Sequence, residues 1–152
     1  MRKIEISAFD LAQRFVGQEE VAGAASSPQI LAMLRLDQEW PAGDDVPWCS
    51  AFANYVAWLL RLPRSKSLLA RSWLQIGQPI ELAAAEVGFD VVVFKRGAAP
   101  QPGPEVIDAP GHVGFFAGVE GDRVLVLGGN QKDAVNLAGF PKGDVLGVRR
   151  LA

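Results

Sequence analysis

The spacing of apolar residues changes once along this chain of 152 residues, near residue 88. Before that point, apolar side chains recur every three or four positions, as on one face of an α-helix. After it, short runs such as Asp90-Val91-Val92-Val93-Phe94 are rich in β-branched residues and are separated by turn residues. Helices first and an antiparallel sheet second predict an α+β fold, and the length fits one domain over residues 1–152.

The first half of the chain predicts four helical segments, of which three end at a glycine or a proline. In chain order these are Ser7–Val16, Gln29–Leu34 after a Ser26-Ser27-Pro28 cap, Ser50–Leu62, and a shorter helical piece at Leu68–Ile76. Residues Pro79 to Val87 fit either a short helix or a loop. Cys49 is therefore expected at or just before a helix N-terminus.

The second half predicts a buried strand over Asp90–Phe94 and then a β-hairpin. The segment from Gly97 to Gly111 is rich in proline and glycine, so we expect a long surface loop there. The hairpin strands are His112–Val119 and Arg123–Leu127, and a last strand spans Val145–Leu151.

Cys49 is the only cysteine and His112 the only histidine of the chain. One cysteine excludes a disulfide framework, and a thiol–imidazole mechanism would have to use this pair. A helix N-terminus favours the thiolate, which is the nucleophilic form, and its backbone N–H groups suit an oxyanion. The alternative is structural: Cys49 is a small buried apolar residue, and His112 is bonded to backbone at a strand end.

The imidazole needs a third group to fix its tautomer, and the hairpin register gives two candidates. A three-residue loop, Glu120-Gly121-Asp122, would pair His112 with Asn130, which we prefer. A two-residue loop, Gly121-Asp122, would pair it with Gln131 instead.

Three residues that precede the thiol are further candidates. Asp44 and Asp45 could bind substrate or complete an oxyanion site, or they are solvated loop carboxylates. Trp48 could form a wall of the cleft or pack in the core.

Composition disfavours several classes of function. The formal net charge is −2 and the basic residues are scattered, so no nucleic-acid partner is expected. One histidine with scattered carboxylates predicts no metal site, and no cofactor motif is present. No apolar run is long enough for a membrane span, and residues Met1 to Glu5 do not begin a signal peptide, so we expect synthesis in the cytoplasm.

Three motifs carry a resemblance to a known family. Pro47-Trp48-Cys49-Ser50-Ala51-Phe52, Gly111-His112-Val113-Gly114-Phe115 and Leu127-Gly128-Gly129-Asn130-Gln131 resemble a papain-like family of bacterial and phage cell-wall amidases. The family is endolysin-like and related to CHAP and NlpC-type cysteine peptidases. Shorter matches, such as Ala70-Arg71-Ser72-Trp73-Leu74, extend the likeness over most of residues 17 to 150. At Gly88-Phe89-Asp90 the family more often has Pro-Gly-Asp.

The resemblance implies a papain-like fold with N-terminal helices packed on a small antiparallel sheet. It also implies a Cys-His-polar triad, here Cys49, His112 and Asn130, that hydrolyses amide bonds of peptidoglycan stem peptides as an amidase or endopeptidase. Such a protein would reach the cell wall after lysis, holin release or non-classical secretion. The alternatives are a non-catalytic cell-wall-binding or phage structural module, and a protein-directed cysteine protease or toxin.

Overall fold

The computed structural model describes residues 5–21, 27–37 and 47–152. Helix α1 is Ala8–Ala12, and a 3₁₀ turn over Gln13–Phe15 continues it. A capping box fixes its start, because the Ser7 hydroxyl accepts from the Asp10 N–H while the Asp10 carboxylate accepts from the Ser7 N–H. The helix predicted from Ser7 to Val16 is therefore an α-helix in its first half and a 3₁₀ turn in its second half.

Two further helices follow where the sequence predicts them. Helix α2 is Pro28–Leu34, with Ser27 as its N-cap and proline in the first turn. Helix α3 is Cys49–Leu59, so Cys49 is its first residue. It ends before the predicted Leu62, because Arg61 takes a left-handed conformation with φ of 57°.

The segment between α3 and the sheet is built of short pieces. The predicted helical piece near Leu68–Ile76 is a 3₁₀ helix over Ala70–Gln75. Residues Pro79 to Val87, expected as a helix or loop, contain the end of a short strand and a 3₁₀ turn over Leu82–Ala84. A last 3₁₀ turn, Lys142–Asp144, precedes the final strand.

Six antiparallel strands form one sheet. They are β1 Gln78–Ile80, β2 Asp90–Lys95, β3 Gly111–Glu120, β4 Arg123–Gln131, β5 Ala134–Pro141 and β6 Val145–Arg150. Their spatial order is β1-β6-β2-β3-β4-β5. The sequence predictions for β2, β3, β4 and β6 are confirmed in position, whereas the edge strands β1 and β5 were not predicted.

The hairpin between β3 and β4 has a two-residue loop followed by a bulge. Glu120 pairs with Arg123, so the expected three-residue loop is wrong. A register shift between Phe116 and Gly118 then sets Phe115 opposite Leu127. Continued by counting, that register would place His112 opposite Asn130, but no paired residues are found beyond Phe115 in this part of the structure.

The sheet has an apolar core on each face. Val91, Val113 and Phe115 pack with the helices, and this core also contains Phe52 and Val56 of α3 and its N-cap residue Trp48. The alternating residues Val92, Phe94 and Phe116 form a second core on the opposite face. His112 pairs directly with Phe94. Its side chain therefore projects from the same face of the sheet as that of Phe94, which is the face away from α3.

Candidate active site

The thiol of Cys49 lies at the N-terminus of α3 and against the start of β3. Only 2% of the residue is exposed. The backbone N–H groups of Val113, Ser50 and Cys49 itself lie beside the sulfur and act to lower its pKa. Since Val113 follows His112 in the chain, α3 brings the thiol to the backbone of the histidine's neighbour.

Burial dominates the acidity of this thiol. Desolvation raises the pKa of Cys49 above its usual range, while the Val113 N–H and the charge of Arg96 act in the opposite direction. The cysteine is therefore protonated at neutral pH in this arrangement. A nucleophilic attack from this state would have to transfer the thiol proton to a base.

The imidazole of His112 is held by a side-chain relay. Its Nε2 lies 2.9 Å from Oε1 of Gln131. The Gln131 amide nitrogen donates to the backbone oxygen of Asn136 at 2.7 Å and to its side-chain oxygen at 2.9 Å. Because both acceptors are oxygens, the amide must present its own oxygen to the ring, so the neutral ring carries its proton on Nε2. Nδ1 is left with the lone pair that a base requires.

Two aromatic rings surround the imidazole. The ring centroids of Phe140 and Phe94 lie 4.8 Å and 6.4 Å from that of His112. Burial, together with the charge of Arg96, lowers the pKa of His112 to about 4, against the hydrogen bond to Gln131, which raises it. The histidine is thus a neutral base at neutral pH.

Thiol and ring approach the end of β3 from different sides. Cys49 comes from the α3 side, and His112 lies with Phe94 on the other side. Beyond Phe115 and Leu127, no further paired residues of β3 and β4 are found in the described residues. Both residues belong to the described part of the chain, and no hydrogen bond joins their side chains there.

Two glycines of β4 lie where its pairing with β3 has ended, and each allows a close approach on one side of the sheet. A Cβ atom at Gly128 would lie 2.6 Å from Oε1 of Gln131 and 3.4 Å from Nε2 of His112. A Cβ atom at Gly129 would lie 2.6 Å from the Trp48 ring on the opposite side. Gly128 therefore leaves room for the histidine relay, and Gly129 lets α3 approach the sheet.

The other predicted site residues have different positions. Asn130 has φ of 57° and shares a cavity with His112, yet the side chain on the ring is that of Gln131. The indole of Trp48 is fully buried, and its N–H donates to Glu20 at 2.6 Å. Asp44 and Asp45 lie outside the described residues. The roles of Asn130, Gln131, Trp48 and Asp45 in a reaction remain predictions.

Two residues of the site were missed by the sequence analysis. Asn136 holds Gln131, and also donates from its side chain to the Gln131 backbone oxygen at 2.9 Å. Arg96 lines the cavities on both sides of the strand end. The register of a hairpin over residues 131–136 could have indicated Asn136, but nothing in the sequence singles out Arg96.

Arg71 anchors the loop that lies over the site. Its guanidinium is fully buried and donates to the backbone oxygens of four loop residues: Pro102, Gly103, Val106 and Pro110. Residues of this loop line both cavities. The side chain of Arg71, in the 3₁₀ helix that follows α3, thus holds in place the loop that borders both cavities.

The described residues contain no group of three or more His, Cys, Asp or Glu side chains that could hold a metal ion. Within the same ranges, no helix combines the length and the hydropathy needed to cross a bilayer.

Comparisons with known proteins bear on the fold. No protein-family model matches the chain, and no curated protein matches it in sequence. Among solved structures, NlpC1 from Trichomonas vaginalis is similar, with a TM-score of 0.58 and 17% identity. The similarity covers 99% of this chain but 46% of that chain. At this identity the likeness concerns the fold, which is an α+β fold of NlpC-like type.

Proposed function

We propose that this protein is a cysteine amidohydrolase that cleaves amide bonds in the stem peptides of peptidoglycan. One observation carries the proposal: the thiol at the start of α3 lies beside the backbone N–H of the residue that follows His112, and the histidine's relay leaves Nδ1 as a base. The NlpC-like fold agrees with this chemistry, and the cell-wall substrate follows from the resemblance of the three motifs.

The mechanism would be acyl transfer by a neutral thiol and a neutral ring. The thiol proton passes to Nδ1 of His112 as the sulfur of Cys49 bonds to the amide carbon. Backbone N–H groups around the sulfur, including that of Val113, are suited to receive the oxyanion. The protonated ring then gives its proton to the leaving amine as the C–N bond breaks. Water, deprotonated by Nδ1, hydrolyses the thioester.

The relay through Gln131 would keep the ring in the productive tautomer during both steps. When the ring becomes a cation, its Nε2 proton still faces the amide oxygen of Gln131. The proton transfer also requires Nδ1 of His112 to reach the sulfur of Cys49 from the other side of the strand end.

The test is digestion of purified peptidoglycan, with fragments separated by chromatography and identified by mass. We expect the wild-type protein to release new amine termini, and Cys49→Ala and His112→Ala to release none. Arg14→Gln, at an exposed position that lines neither cavity, is the matched control and should retain activity. Turnover that survives in Cys49→Ala would rule out the proposal. Faster cleavage of a denatured protein substrate than of cell wall would favour a protease instead.

One feature favours a second candidate, a non-catalytic module of the same fold that binds cell wall. The thiol is 2% exposed and protonated, and the ring lies against Phe140 and has no bond to the sulfur in the described part of the chain. Such a module would pellet with purified cell wall without releasing fragments, and Cys49→Ala would pellet equally well.

A further inference from the structure

A large cavity lies on the His112 side of the sheet. Its volume is about 1050 Å³, and His112, Asn130 and Gln131 line it. The loop after β2 and the facing strands β4 and β5 complete the walls. A cavity of this size accommodates a ligand of several amino acids.

Positive charge predominates in this cavity. The basic lining residues are Lys95, Arg96, Arg123 and Lys132, and the acidic lining residue is Asp144. The whole chain carries a net charge of −2, so this concentration of cations differs in sign from the rest of the protein. Walls with one sign of charge raise the local concentration of ligands with the opposite sign.

These cations are available for a ligand. Over residues 5–21, 27–37 and 47–152, no ion pair or side-chain hydrogen bond is found for Lys95, Arg96 or Lys132. One guanidinium nitrogen of Arg123 donates to the backbone oxygen of Gly139, and its other N–H groups can donate to a ligand. His112 adds no positive charge of its own at neutral pH.

The thiol lines a second and different cavity. It measures about 420 Å³, and its walls beside Cys49 include Leu68, Leu69 and Pro110. This cavity is mainly apolar, and Arg96 lines both cavities. A substrate that lies across Arg96 would therefore meet a small apolar site at the sulfur and a cationic site beyond the imidazole.

We propose that the cationic cavity binds free carboxylate groups of the substrate peptide, with Arg96 and Lys132 as the residues that select for them. The proposal rests on the proposed function, because it assigns the charged arm of the peptide that the thiol would attack. Guanidinium groups bind carboxylates through two parallel hydrogen bonds, which neutral carboxamides cannot reproduce with the same strength. The site thus predicts a preference for acidic peptides over amidated ones.

The experiment measures binding to the Cys49→Ala protein by titration calorimetry, so that no ligand is consumed. The two probes are the stem tripeptide of peptidoglycan with its carboxyl groups free and the same peptide with all of them as carboxamides. We expect the free acid to bind about tenfold more tightly, as the loss of a charge-assisted hydrogen bond predicts. The added change Arg96→Gln with Lys132→Gln should abolish most of that ratio, and Arg14→Gln should preserve it.

Two results would overturn the inference: equal affinity for the two peptides, including no binding of either, and a ratio that persists in the Arg96→Gln, Lys132→Gln protein. Cleavage by the wild-type protein is measured separately. Selective binding of the acid without cleavage would refute the proposed reaction and leave the carboxylate site in place. Cleavage of acid and amide at equal rates would refute the carboxylate site and leave the reaction in place.

Discussion

The His112 ring and the Gln131 side chain form a hydrogen bond of 2.9 Å, and Asn136 determines which end of the Gln131 amide faces the ring. The orientation of a base is thus set by two residues of a single hairpin, Gln131 at the end of β4 and Asn136 in β5. Since His112 is the only histidine of the chain, its titration can be followed directly by nuclear magnetic resonance.

Replacing Gln131 with glutamate should raise the pKa of His112 above its value of about 4, because a carboxylate next to the ring favours its charged form. The titration of the ring protons measures this. Asn130→Asp places a carboxylate in the same cavity without a bond to the ring, so it should have the smaller effect. A larger rise in Asn130→Asp than in Gln131→Glu would show that Asn130 is the true partner in solution.

The stability of the protein should fall as the pH decreases from about 6.5 to about 4. An unfolded histidine takes up its proton near pH 6.5, whereas the folded ring does so near pH 4. Within that window the unfolded state binds the additional proton, so acid favours unfolding by up to about 3 kcal/mol, and the contribution does not grow further below it.

Urea unfolding at several pH values measures this free energy. Carboxyl groups also titrate in the window, so the quantity compared is the difference between wild type and His112→Phe, which retains an aromatic ring next to Phe140. Parallel stability profiles for the two proteins would contradict the low pKa of the folded ring.

Replacing Arg71 with methionine should lower the free energy of unfolding by about 2–5 kcal/mol, because it leaves buried backbone oxygens of the loop without donors. Residues 97–111 should also become the first site of cleavage by a protease. Arg14→Met, on an exposed position, is the control for loss of a positive charge. An unchanged cleavage pattern in Arg71→Met would mean that the loop is held by other contacts.

Alanine at position 129 should destabilise the protein by about 1–3 kcal/mol, because its Cβ would lie 2.6 Å from the Trp48 ring. Gly143 offers a matched control, since a Cβ there would meet nothing within 4 Å. Thermal unfolding of the two variants measures the contrast. Equal melting temperatures for Gly129→Ala and Gly143→Ala would show that α3 can move away from β4 at little cost.

Most of the α+β fold could be predicted because the central elements carry strong local patterns. The buried run of β2 and the apolar face of α3 are both continuous in sequence, and both were located to within a few residues. The edge strands lack that pattern. In β5, Val135 is buried while Leu137 is 56% exposed, so alternation of polar and apolar residues does not identify the strand.

The site illustrates a different limit. Cys49 and His112 could be selected because each is the only residue of its type. Predicting which residue bonds to the ring depended on the register of the hairpin. Two irregularities change that register: the bulge between Phe116 and Gly118, and the left-handed backbone of Asn130. Neither irregularity is specified by local composition, since both arise from how the strands pair across the sheet.

Gly128 and Gly129 also constrain how the length of this chain can vary. They are adjacent in sequence but face opposite sides of the sheet, one toward the histidine relay and the other toward α3. Inserting or deleting one residue in β4 would exchange the sides to which its remaining residues point. A bulky side chain would then enter the space of the relay or of the Trp48 ring. Alignments of related sequences should therefore contain no gaps within this strand, even where its exposed residues vary freely.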